Sequence, residues 1–464
     1  MTTALAEAPA PFPRAFWTAN VTELFERGAY YSMASFVVLY FGRLGMGHYW
    51  PSTLNSVLWT LVYFLPILSG TIADQIGFKK ALLGAFLLLV CGYLLMGAPV
   101  WFEGATLLDK AGDTVTTAPL IAMTTVAAIV LIGLGGSIVK PCISGTVQKT
   151  AMGRATLAFG IFYMVINIGS LFGRGASYFV RTHSSLPYIF AVSMTCAVLA
   201  FLVVALFYRT PDAAPIAASP ARPRKSVGRI LLDMVLVLKN PRFVLFLLVN
   251  VGFNFLYSQV YNVLPLYLAT VLEKKPAVDV YTMANPLVIV AFQLLVTRKF
   301  GKMAPVRSMV VGTVIIGLAM LINVVPLYMA GGPRTPGLLG IPIGSLFIVG
   351  TVALIAMGEL FGQARVFEYI GALAPKGQEG LFLGYANLPI ALGSLSGGPV
   401  GAYLFHDLIC RGATKDESGL LVLDRTNATV GWLVLMGIGF ASAAGLWLYH
   451  RWVTASPAPA KAAS

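Results

Sequence analysis

The sequence predicts an all-α membrane protein of twelve transmembrane helices arranged as two six-helix halves. Three observations predict it. Of 464 residues, 58% are hydrophobic and only 11% charged, where an ordinary soluble domain carries about 25% charged residues. Mean hydropathy is +0.81, and twelve apolar stretches reach the roughly 20 residues that a spanning helix needs. Finally, a polar, proline-rich segment falls between the sixth and seventh stretch.

An Ala/Pro-rich leader with no basic region before an apolar core precedes span 1 (16–44), so no signal peptide is expected. Spans 2 (51–76) and 3 (79–99) are separated only by the tight, basic turn Asp74-Gln75-Ile76-Gly77-Phe78-Lys79-Lys80. Spans 4 (119–148), 5 (154–180) and 6 (187–208) complete a half over residues 1–208. Residues 209–241 are a linker: a Pro/Ala run to Pro223, then Arg224 and Lys225, then an amphipathic stretch with Arg229, Asp233 and Lys239 on its polar side. That composition predicts a flexible connection followed by a helix lying on the inner membrane surface, with no room for another pair of spans. The second half, 242–464, holds spans at 242–271, 281–298, 307–330, 343–373, 380–406 and 429–451. After its second span, Arg298-Lys299-Phe300-Gly301-Lys302 echoes the turn after span 2.

A net charge of +14 invites a nucleic-acid reading, but its distribution argues otherwise. Lys and Arg outside the spans collect on the side of both termini, about two to one, which by the positive-inside rule orients the chain with both ends cytoplasmic in the plasma (inner) membrane. The basic excess is an orientation signal, and no nucleic-acid partner is expected. Cys91, Cys142 and Cys196 lie in apolar spans and Cys410 stands apart, so no disulfide framework is implied. No motif calls for a metal or cofactor.

Eight ionisable residues lie within the spans: Glu23, Glu26, Arg27, Lys140, Arg174, Glu359, Arg365 and Glu368. A charge at the membrane centre costs about 2.5–3.5 kcal/mol on insertion scales, so such residues are functional candidates. Glu23, Glu26 and Arg27 are spaced i, i+3, i+4 and share one helix face. Two carboxylates beside one guanidinium leave a negative charge over, so one of them is expected to exchange a proton. Lys140 sits near enough to the inner end of span 4 that snorkelling is also open to it. Asn167 and Asn285 can bind a polar ligand or bridge helices, and the 133–136 GLGG run suits close helix packing.

Two longer motifs carry a specific resemblance. Glu23-x-x-Glu26-Arg27 followed by Tyr30-Tyr31, and Phe162-Tyr163-x-x-Ile166-Asn167-x-Gly169-Ser170-Leu171 in span 5, resemble the signatures of the proton-dependent oligopeptide transporter (POT/PTR) family of the major facilitator superfamily. Lys140-Pro141, Asn285-Pro286 and Gly358-Glu359-Leu360 fall where that family has corresponding residues, and the order is kept. The resemblance implies the major facilitator fold, two related halves around a midplane site. It also implies proton-coupled symport of di- and tripeptides by alternating access. Proton coupling would then fall to Glu23, Glu26, Arg27 and Lys140, and substrate binding to Arg27, Tyr30, Tyr63, Lys140, Asn167, Asn285 and Glu359. A zwitterionic peptide suits these residues, with a carboxylate for the cations and an ammonium for Glu359.

Departures from the family pattern are equally specific. Ser258 precedes Gln259 where the family usually has an acid, Ala34 replaces a frequent arginine, and Ser56 replaces the histidine of animal members. Loss of that arginine and acid together removes an outer gate pair. Arg174 is therefore expected to close the outer gate with Glu273 or Asp279. For Arg365 and Glu368 a gate role and a structural pair both fit. The competing functions are transport of another small solute, such as nitrate or a drug-like anion, on the same fold; an intramembrane enzyme, disfavoured because no HExxH or paired GxGD motif is present; and a channel, which fits paired halves less well.

Overall fold

A computed structural model of the protein describes residues 11–110, 114–152, 154–209, 238–373 and 385–455, with Gly112 and Gly228. Among the described residues, eleven helices are long and apolar enough to cross a membrane. The twelfth span is Arg14–Ala34, continued by Val37–Arg43; its charges lower its apolar character, yet Glu23, Glu26 and Arg27 are buried. The other spans are Trp50–Gly70, extended by its last turn to Ile76, then Phe78–Trp101, Pro119–Lys149, Ala155–His183, Tyr188–Phe207, Pro241–Leu272, Val278–Phe300, Pro305–Tyr328, Ile343–Leu373, Tyr385–Ile409 and Arg425–Ala455. Of the expected linker helix over 227–238, all but Gly228 and Leu238 lies outside the described residues.

Spans 2 and 3, nearly continuous in sequence, part at Gly77, whose φ of +86° is open only to a residue without a Cβ penalty. Glycines elsewhere set the joints. Span 1 lies against span 5 so closely that a Cβ at Gly173 would stand 2.3 Å from the Gly28 carbonyl oxygen, which explains the small residues beside the span 5 signature. Gly133 and Gly135 pack on Leu61 and Leu89 in the same way, as expected for the GLGG run.

Two prolines shape the interior. Pro141 lacks an N–H, so the Ser137 carbonyl loses its helical partner; the Ser69 hydroxyl of span 2 donates to it at 2.8 Å instead. Pro265 frees the Tyr261 carbonyl likewise, and the Asn55 side chain of span 2 donates to it at 3.2 Å. Span 7 is accordingly not one uniform helix. It breaks at Asn250, tightens at Gln259–Tyr261 and widens at Leu268–Leu272, irregularity that its even hydropathy does not reveal.

The Asn55 bond spans the two halves, as do others on the face away from the termini, the distal face. Ser35 and Thr282 hydroxyls meet at 3.0 Å, and the Tyr49 hydroxyl donates to Asp407 at 2.7 Å. Gly398 brings span 11 against the Ser52 backbone. Above them, the loop hairpin Thr414–Lys415 with Leu421–Val422 accepts a hydrogen bond at Gly419 from Lys110 of the first half. The Ser418 hydroxyl and the Arg334 guanidinium hold Asp416 of this hairpin well below the usual carboxylate range. A depressed folded value means that its contribution is full above the unfolded pKa and is lost only as pH falls through the folded one. Amide protection factors across 414–422 are therefore expected to stay unchanged between about pH 7 and about pH 5, and to fall in Asp416→Asn; a loss of protection in the wild type over that range would contradict this.

Candidate functional site

Where spans 1, 2, 4 and 5 face spans 7, 8 and 10, the structure brings two charge groups together, the first buried and the second half-buried. The first is on span 1. Arg27 grips Glu26 with Nε and Nη2, the latter 2.7 Å from Oε1, and its Nε lies 3.4 Å from Glu23. Glu23 is fully buried, and neither of its oxygens receives a hydrogen bond among the described residues. Glu26 thus meets Arg27 in a two-point contact, whereas Glu23 meets it only at the longer distance. Lys140 reaches over the Tyr63 ring, 4.4 Å from its centroid, a cation–π contact.

The second group is in the other half. Glu359 of span 10 accepts from Asn285 at 3.1 Å, and Asn285 is placed by the turn at Met283, where span 8 resumes before Pro286. An aromatic wall joins the groups. Tyr63 stacks on Trp59 at 5.7 Å, and Trp59 meets Tyr30 at 5.5 Å and Tyr261 at 4.7 Å. The Tyr30 hydroxyl is buried with no partner among the described residues. Trp59 and Tyr261 were not singled out by sequence. Trp59 lies one turn before Tyr63 on the same face, which is the signal that was present.

Asn167 is at the site's edge, but its side chain turns back to donate to the Tyr163 carbonyl at 2.9 Å. Arg365 and Glu368 pair at 2.6 Å, and Arg365 also donates to the Phe300 and Gly301 carbonyls. This cation caps the end of span 8 within its own half, a geometry that suits a structural pair and leaves the gate reading open. Among the described residues no three metal-ligating side chains converge.

The expected pairing of Arg174 with Glu273 or Asp279 is corrected by the structure. Arg174 donates to Thr282 and Tyr261, each at 3.1 Å, and to Ser170, and its guanidinium lies 4.5 Å over Tyr31. Glu273 instead accepts from Tyr281 at 2.9 Å and from Ser345. Asp279 is taken by Arg181, two turns beyond Arg174 on span 5, in a two-point contact of 2.9 and 3.2 Å. Removing one partner of a buried pair costs about 3–5 kcal/mol because the other charge stays behind. Arg181→Ala is therefore expected to drive the distal ends of spans 5 and 8 apart, letting water reach Asp279. Double electron–electron resonance distances between spin labels there should lengthen; unchanged distances would reduce the pair to packing.

Known proteins share this architecture. A model of the Major Facilitator Superfamily matches residues 50–397. "Peptide transporter family 1" of Drosophila melanogaster is 34% identical over 170 residues, 35% of this chain and 21% of that protein. "Solute carrier family 15 member 1" of Canis lupus familiaris is 28% identical over 37% of this chain and 25% of its own length. "Dipeptide and tripeptide permease A" of Klebsiella pneumoniae is 28% identical over 44% of this chain and 39% of its length. The matched region spans well under half of each of these relatives. Among solved structures, a peptide transporter POT in complex with sulfate superposes with a TM-score of 0.72 at 17% identity, covering 95% of both chains. A POT family transporter in complex with 5-aminolevulinic acid gives 0.70 at 18% identity over 95% of this chain and 97% of that one. These likenesses establish a shared fold over nearly the whole length, and they agree with the resemblance read from the motifs.

Proposed function

The chain belongs to the major facilitator superfamily, and we propose that it is a proton-coupled symporter that imports di- and tripeptides by alternating access. The observation that carries this reading is the pair of charge groups in opposite halves, joined by an aromatic wall. A short peptide is a zwitterion with a polar backbone. Its ammonium matches Glu359, its carboxylate matches Lys140, and its bulk lies against Tyr30, Trp59 and Tyr63. Glu23, buried without a donor, takes the proton, and Arg27 holds Glu26 in place. A lone anion such as nitrate has no use for Glu359, which disfavours the second reading.

The basic bias of the sequence supports a plasma-membrane orientation with cytoplasmic termini, making the distal face the outside. The contacts that join the halves there then correspond to an outer seal and a site reached from within. The partners are protons, peptide and the lipid bilayer, with no nucleic acid. Radiolabelled dialanine uptake into proteoliposomes of the purified full chain provides the test. Accumulation driven by acid outside, and competed by trialanine, is expected; nitrate-driven competition without peptide uptake would overturn the peptide assignment.

A further inference from the structure

We propose that Arg174 is a substrate-contacting residue of the outward-facing state, where it captures the ligand's carboxylate before Lys140 does. This rests on the peptide reading above. Arg174 is fully buried, yet every hydrogen bond it makes goes to a neutral oxygen: Ser170, Thr282 and Tyr261. Its remaining contact is the face of Tyr31. Both nearby acids are engaged elsewhere, Asp279 with Arg181 and Glu273 with Tyr281 and Ser345. A guanidinium keeps its charge, and among the described residues no carboxylate pairs with it.

The partners of Arg174 are divided between the halves. Ser170 and Tyr31 belong to the first half and travel with Arg174. Thr282 and Tyr261 belong to the second and lie across the distal seam. When the seam parts, Arg174 keeps its hold on span 5 and span 1 and loses two of its three hydrogen-bonded neighbours. A guanidinium with freed donors then faces the water-filled entry. Its planar fork fits a carboxylate at two points. Closing the seam returns Thr282 and Tyr261 to the same donors and displaces the carboxylate inward to Lys140. One cation therefore serves as an outer carboxylate hook and then as a roof over the loaded site.

The test compares dialanine with its C-terminal amide, which keeps the ammonium and lacks the carboxylate, in uptake by reconstituted full chain. Arg174→Gln is expected to raise KM for dialanine at least tenfold while leaving KM for the amide unchanged or lower, so that the preference for a free carboxylate collapses. Arg174→Lys, which keeps the charge and loses the fork, guards against a folding defect and should retain an intermediate preference. Equal changes for both substrates in the two variants would make Arg174 a brace of the seam and overturn the assignment, leaving the peptide reading intact. Failure of the wild type to take up dialanine would instead remove the peptide reading and this inference with it.

Discussion

Glu23→Gln is expected to abolish uphill, pH-driven uptake while peptide-for-peptide exchange persists. One pH unit corresponds to about 1.36 kcal/mol per proton, so a single coupled proton supports about a tenfold accumulation across a one-unit gradient. An amide at position 23 cannot exchange that proton, and the accumulation ratio should fall to about one. Exchange needs only the substrate to return the carrier across the membrane, so it survives. Glu26→Gln should also uncouple, because it releases Arg27 from its two-point contact and turns the guanidinium toward Glu23, holding that carboxylate charged. Accumulation of labelled dialanine under an imposed pH gradient, beside counterflow without one, separates the two activities. Equal survival of both in both variants would remove span 1 from the coupling path.

Glu359→Ala should penalise substrates with a free amino terminus far more than N-acetylated ones. Leaving a charge unpaired at a buried site costs about 2–5 kcal/mol, and at half-buried Glu359 the low end applies, so KM for dialanine should rise about thirtyfold. N-acetyl-dialanine, already a poor ligand, should change by no more than about twofold, since it offers the carboxylate no ammonium to pair with. The variant also frees the Asn285 amide, whose partner Glu359 is. Asn285→Ala therefore serves as the control: it should weaken both substrates alike. An equal loss for both in Glu359→Ala would assign the glutamate to packing.

Most of the fold was legible because a bilayer leaves its mark on every residue that faces it. The observed span ends lie within a few residues of those read from hydropathy, and even the turn at Gly77 was marked by its glycine and lysines. The buried ionisable residues were legible for the same reason, since each stands out against an apolar background. What was not legible was pairing. Arg174 and Arg181 both sit on span 5, two turns apart, and sequence spacing offers no way to tell which of them meets Asp279. That depends on how far the distal end of span 8 leans toward span 5, a tertiary distance. Trp59 was missed because an aromatic in an apolar span has the appearance of lipid-facing or packing residues. Only its neighbours Tyr30, Tyr63 and Tyr261 distinguish it.

The carbonyl that Pro265 releases from its helix, met across the seam by Asn55, bears on how quickly the protein can turn over. Gly398 lets spans 2 and 11 approach to backbone contact, and several of the groups that bridge the seam beside them are short side chains, Ser35, Asn55 and Thr282. Short side chains lose little rotamer freedom on docking, and each such bond is worth only about 0.5–1.5 kcal/mol net because water substitutes for the lost partner. Where the lock is assembled from such wettable bonds, opening it costs little, and the Arg181–Asp279 contact is the part that holds it shut. A proline-freed carbonyl is especially suited to this, since it needs a partner in either form and accepts water as readily as an amide. Apart from that ion pair, the seam opens and recloses at small cost in either direction, which leaves the rest of the bias between the two forms to the proton and the cargo.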